Sequence, residues 1–193
     1  MDRSISAELY LSFAAVFYRP NPEVANHLEE LIDLWAEAIP GIDRSIQKLN
    51  AFCDQIPPGE QRLNTLWEHY IPLFETGAVE APPYASVYFE KEGLVLGQEA
   101  VKVKQFYTTC GFGMGEGKEE LPDHLAVELE FCALLARDGK EKALEDFERN
   151  YLNPFLKRIL PRIKNTERPV YAAVAAILGC RQLNLLKEGD CVG

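Results

Sequence analysis

Leu121-Pro122-Asp123-His124-Leu125-Ala126-Val127-Glu128-Leu129-Glu130-Phe131 is the stretch whose reading decides the fold. Pro122 suits the first position of a helix, and Asp123 beside it complements the positive end of the helix dipole. Apolar residues then recur at three- and four-residue steps, which predicts a helix over Pro122–Arg137. At about 100° per residue, His124 and Glu128 share one face. Phe131, Cys132 and Leu135 flank that face, whereas Asp123, Ala126 and Glu130 project on the other side. One histidine and one carboxylate therefore stand inside an apolar sector, where an isolated carboxylate demands a partner.

The same period extends in both directions. Ile5, Leu9, Phe13, Val16 and Phe17 predict a helix from Ser4 to Tyr18. Asn21-Pro22-Glu23 is a start signal, and the helix it opens carries Val24, Leu28, Leu31, Ile32 and Trp35 before Pro40-Gly41 ends it. A third helix runs to about Ile56 through Ile42, Ile46, Leu49 and Phe52. After Pro57-Pro58-Gly59 a fourth carries Leu63, Leu66, Trp67, Tyr70 and Ile71. Helices are further expected over Gln98–Cys110, Lys140–Tyr151, a short one from Pro154, and Arg168–Lys187. No repeat, strand alternation or low-complexity tract interrupts this pattern, so the expected architecture is an all-α, single-domain multi-helix bundle. The glycine-rich residues 111–118 are a candidate flexible connector, with helices packing across it. Such a connector permits domain swapping without requiring it, so the chain is expected as monomer or homodimer.

Composition narrows the function classes. The 193 residues are 47% hydrophobic and 26% charged, as in ordinary globular domains. A formal net charge of -10 argues against a nucleic-acid partner, which calls for a basic excess. The same charge favours attraction toward cationic partners, including arginine-bearing peptides. No export leader or bilayer-spanning segment is evident, so a cytoplasmic location without stable membrane insertion is expected. Five cysteines without a C-x-x-C pair offer neither a zinc knuckle nor an iron–sulfur cradle, and Cys53 and Cys132 read as small core residues. No metal or other cofactor is expected.

Two constellations carry candidate chemistry. In the first, His124 and Glu128 admit three readings: a satisfied internal pair, two metal ligands one helical turn apart, or the edge of a binding pocket in which Asp123 and Glu128 offer acid to a basic peptide. The metal reading makes the chain a metal-dependent hydrolase. The second constellation is Tyr70-Ile71-Pro72-Leu73-Phe74-Glu75 followed by Pro82-Pro83-Tyr84-Ala85-Ser86-Val87-Tyr88. An aromatic-proline loop of this kind serves either as a packed cover or as a grip on an apolar segment. No nucleophile arrangement and no phosphate-cradling motif stands out.

Taken together, Tyr70-Ile71-Pro72-Leu73-Phe74, Pro83-Tyr84-Ala85-Ser86-Val87-Tyr88 and the Pro122–Phe131 segment resemble the TorD/DmsD family of redox-enzyme maturation chaperones, within the wider NarJ-like group. One branch of that family has Trp and Gly where Tyr84 and Ala85 stand here. The resemblance implies a non-enzymatic chaperone for a molybdenum or tungsten oxidoreductase of the molybdopterin type. Its partners would be the twin-arginine signal peptide and the apo-form of the catalytic subunit, held in the cytoplasm until cofactor insertion. It further implies that Leu73, Phe74, Pro83, Tyr84, Ser86, Asp123 and His124 contact the signal peptide, with Tyr70, Tyr88, Pro122 and Glu128 supporting the pocket. A scaffold that binds only the folded body of its partner is a third alternative.

Overall fold

Helical periodicity governs the chain as the sequence predicts. The computed structural model describes residues 3–76, 78–91, 93, 95, 97–113 and 120–189, with side chains as far as Gln182. Among these the only strand-like feature is an isolated bridge, and the protein is all-α. In chain order the helices are α1 (Arg3–Phe17), α2 (Pro22–Asn26), α3 (Leu28–Ala38), α4 (Asp43–Gln55), α5 (Glu60–Phe74), α6 (Ser86–Phe89), α7 (Gln98–Thr109), α8 (Leu125–Arg137), α9 (Glu141–Phe147), α10 (Asn153–Lys164) and α11 (Pro169–Gly189). A π turn over Glu148–Leu152 links α9 to α10. The chain forms two compact units, one of Met1–Tyr18 and Pro82–Arg158, the other of Arg19–Ala81 and Ile159–Gly193.

In unit 1, α8 is the central element and α1 lies along it. Small residues on both helices (Ala7 and Ala14 on α1, Ala126, Ala133 and Ala136 on α8) let Leu9, Phe13, Val16 and Phe17 bury completely or nearly so. Ile5, expected in that stripe, is exposed. On another side of α8, Phe131 meets Tyr107 of α7 at 4.1 Å between ring centres and Phe147 of α9 at 4.8 Å. Because several elements surround α8, its side chains are buried nearly all round. Ala126, expected on the side away from His124 and Glu128, is buried for this reason, and Asp123, expected there too, is buried in the turn before the helix.

The helices α7 and α8 flank the glycine-rich stretch and share an aromatic cluster. Gly111 adopts φ 86° and closes the end of α7, its N–H donating to the Thr108 carbonyl at 2.9 Å. Phe112 stacks edge-on against Phe131, with the Lys140 ammonium 4.3 Å above its ring. Residues 114–118 of the expected connector lie outside the described residues.

In unit 2, α4 packs on α3 and α11, and α2 on α5. Its core includes Trp35, Leu49, Leu66, Tyr70, Leu73, Phe74 and Tyr171. Asn21 caps α2 as predicted, its side chain accepting the Val24 N–H at 3.0 Å. The single helix expected from Pro22 is broken at His27, whose φ -117°, ψ 21° leaves the helical range. Cys53 is half-buried, whereas Cys132 in unit 1 is fully buried.

Candidate functional site

The site grows from the start of α8. Pro122 and Asp123 form a turn rather than the first helical residues, and His124 is the N-cap. Its imidazole Nδ1 accepts the Ala126 N–H at 3.2 Å, which assigns the remaining ring proton to Nε2 when the ring is neutral. Asp123, expected to serve the dipole of this helix, turns elsewhere. Its Oδ2 accepts the Ser86 N–H at 2.8 Å, and its carbonyl accepts the Ala85 N–H at 2.9 Å. The Pro83 carbonyl accepts the Leu125 N–H at 2.8 Å, completing an antiparallel bridge between Tyr84 and His124. Thus the loop carrying Pro83, Tyr84 and Ser86 is strapped onto the turn carrying Pro122, Asp123 and His124, a juxtaposition 37 residues apart in sequence at Ser86 and Asp123.

Side chains follow the backbone. The His124 ring stacks on Tyr18 at 6.0 Å and receives the edge of Tyr84 at 5.2 Å. Tyr84 donates to Glu120 at 3.0 Å, and Tyr18 donates to Glu130 at 2.7 Å. Glu120 lies 3.9 Å from His124 Nε2. Burial, the bond to Glu130 and the nearby charges of Glu130 and Glu120 together push the Tyr18 hydroxyl far above the usual tyrosine range. Sequence reasoning does not reach Tyr18, Glu120 or the contact made by Glu130. Tyr18 closes a helix and Glu120 precedes a proline turn, so neither sits in a pattern that marks a site.

Exposure sorts these residues into frame and rim. Asp123 and Ser86 are 0% exposed and His124 1%, so they hold the strap rather than offer open surface. Tyr18, Tyr84, Glu120, Pro122 and Glu130 are half-buried and reach its edge. Tyr88 packs on Phe155 at 5.6 Å. Tyr70, Leu73 and Phe74 belong to the buried core of unit 2, where Phe74 meets Tyr70 at 4.9 Å and Tyr171 at 5.6 Å. Glu128 is fully buried beneath the strap turn. Among the described residues no group of three His, Cys, Asp or Glu could hold a metal ion. His124 Nδ1 is used in capping, and Glu128 is 0% exposed.

The family model of the nitrate reductase delta subunit matches residues 21–162. This chain belongs to that family. The match includes the strap, the His124 turn and the whole of α8, and it bears out the likeness to TorD-type maturation proteins. The chain is 28% identical to the chaperone protein TorD of Vibrio parahaemolyticus over 151 residues, covering 72% of this chain and 69% of the relative. It is 30% identical to the selenate reductase assembly chaperone protein of Thauera selenatis over 129 residues, covering 60% of this chain and 65% of that one. A crystal structure described as that of a redox enzyme maturation protein from Archaeoglobus fulgidus superposes with a TM-score of 0.61 at 25% identity, covering 92% of each chain. No helix among the described residues is long and apolar enough to cross a membrane.

Proposed function

We propose that this chain is a cytoplasmic maturation chaperone, not an enzyme. It binds the twin-arginine signal peptide of a molybdenum or tungsten molybdopterin oxidoreductase and retains the apo-catalytic subunit until its cofactor is inserted. The observation that carries this reading is the Tyr84–His124 bridge, which gathers the proline-tyrosine loop and the Asp123-His124 turn into one surface. The family and the chaperone names of its relatives support it. Two tyrosine rings and the carboxylates of Glu120 and Glu130 lie at that surface, and this chemistry suits arginine followed by apolar side chains. Asp123, His124, Ser86 and Pro83 act by holding Tyr84 in place; Tyr88, Pro122 and Glu128 support them. Leu73 and Phe74 remain expected contributors on the family likeness alone.

A signal peptide burying about 400 Å² of apolar surface gains roughly 10 kcal/mol gross. Ordering the peptide removes part of that, so net binding near 8 kcal/mol, about micromolar, is the expected ceiling. Such a complex releases its client. Fluorescence anisotropy with a labelled cognate twin-arginine peptide tests the proposal: wild type binds near micromolar, and Tyr84→Ala weakens binding by about tenfold, the loss of one aromatic contact. If no cognate signal peptide binds, and the client is still captured after its signal sequence is deleted, the protein is a scaffold for the folded body instead.

A further inference from the structure

We propose that Glu128 is held as a neutral carboxylic acid whose proton is shared with the Asp123 carboxylate, making Glu128 a positioning residue that locks the Pro83–Ser86 strap to the start of α8. The argument begins with helix-capping geometry. With His124 at the N-cap, Asp123 occupies the position before the cap and Glu128 the fourth helical position. These are the two positions at which an apolar pair often packs together at a helix start. Here both are carboxyls, and both residues are 0% exposed. Asp123 spends Oδ2 on the Ser86 N–H, while among the described residues Asp123 Oδ1 and both oxygens of Glu128 have no hydrogen-bond partner.

Nearby donors do not relieve this. Tyr107 is buried close by, but its hydroxyl donates to the Pro122 carbonyl at 2.8 Å. Ser86 Oγ makes no hydrogen bond among the described residues, so it satisfies none of these oxygens. The other charged group acting on Glu128 is Glu99 of α7, which is a further acid. From α1, Tyr18 is bonded to Glu130, and Tyr10 to Glu148 of the π turn. A carboxyl buried beside a second acid is disfavoured as an anion, and a proton kept on Glu128 supplies a donor that the orphaned oxygens otherwise lack. Burial first, then the charges of Asp123 and Glu99, raise the Glu128 carboxyl well above the usual carboxylate range, so Glu128 is the member that carries the proton.

The sign of the pH effect follows. The folded chain holds this proton more tightly than the unfolded chain. Its stabilisation is therefore complete below the ordinary carboxylate range and is lost as pH rises toward the folded-state value. Because the strap carries Tyr84, this inference rests on the peptide-binding reading only for its functional consequence.

Infrared spectroscopy of the full chain, joined to denaturation between about pH 5 and pH 9, tests it. Wild type should show a protonated carboxyl band at neutral pH that Glu128→Gln lacks. Gln keeps the shape without a proton to lose, so its folding constant should gain on wild type by about tenfold per pH unit across the titration window. Absence of the band in wild type, or parallel pH–stability curves for the two proteins, would overturn the proposal. A wild type that shows the band yet binds no signal peptide supports the shared proton and sinks the functional reading instead.

Discussion

Arg62 shows how much a single residue can carry without announcing itself. It is 0% exposed, and its guanidinium donates to both oxygens of Glu29 at 2.6 Å, with further bonds to the Ala25 and Ile56 carbonyls at 3.2 and 2.9 Å. This bidentate geometry ties α2 and α3 to the start of α5 inside unit 2. The hydrogen bond from Arg62 holds the Glu29 carboxyl below its usual range, so its contribution is present above the ordinary carboxylate range and is lost as pH falls through the lowered value. Removing the arginine strands buried carbonyls, while Glu29 turns to solvent. Arg62→Ala should cost about 2–4 kcal/mol in chemical denaturation, and Glu29→Gln less, with a flatter acid limb. Equal costs for both would show that the guanidinium bonds to carbonyls contribute little. Neither residue is legible in the sequence, because an arginine on a helix of mixed polarity looks like solvated surface. Asp123, His124 and Glu128 are legible as residues that matter, since polar groups in an apolar stretch need partners. Their roles are less so: periodicity gives a face but not a cap, and the partner of Asp123 is 37 residues away.

Elements are predicted well where one face is apolar and poorly where backbone chemistry intervenes. The expected helix from Pro122 begins instead at Leu125, because strapping by residues 83–86 uses the turn before it. The expected gap before Pro154 is bridged by the π turn. There the Asn153 N–H reaches back to Glu148, five residues earlier, and the widened turn accommodates a proline that has no N–H to give. Pro72 likewise sits inside α5, in its last turn, where its missing N–H forfeits one bond to the carbonyl four residues back. The end of α7 makes a sharper test. Gly111 has φ 86°, and no atom lies within 4 Å of the position a Cβ would take, so only backbone strain opposes a side chain there. Gly111→Ala should cost about 1–2 kcal/mol. Gly113→Ala, where φ is ordinary and the space is equally open, should be nearly neutral. Thermal unfolding of the two variants distinguishes them, and equal shifts would mean that the left-handed cap does not fix this end.

At the scale of the whole molecule, the proposed peptide recognition makes net charge and its placement the terms that would govern arrival of a cationic peptide. The chain carries -10, and the surface around Tyr84 adds Glu120 and Glu130 at the strap. Long-range attraction should therefore raise the association rate, while the apolar contacts of the peptide set its residence time. Screening acts on the first far more than on the second, since the Debye length falls from roughly 10 Å at about 0.1 M salt to about 3 Å at 1 M. Stopped-flow binding of a twin-arginine peptide should show an association rate that drops several-fold between about 0.05 and 0.5 M salt, with dissociation changing little. Glu120→Gln with Glu130→Gln should reduce that salt dependence, whereas Tyr84→Ala should act on dissociation and leave the salt slope in place. An association rate indifferent to salt would mean that the acidic composition plays no part in recognition, leaving the rings alone to select the peptide.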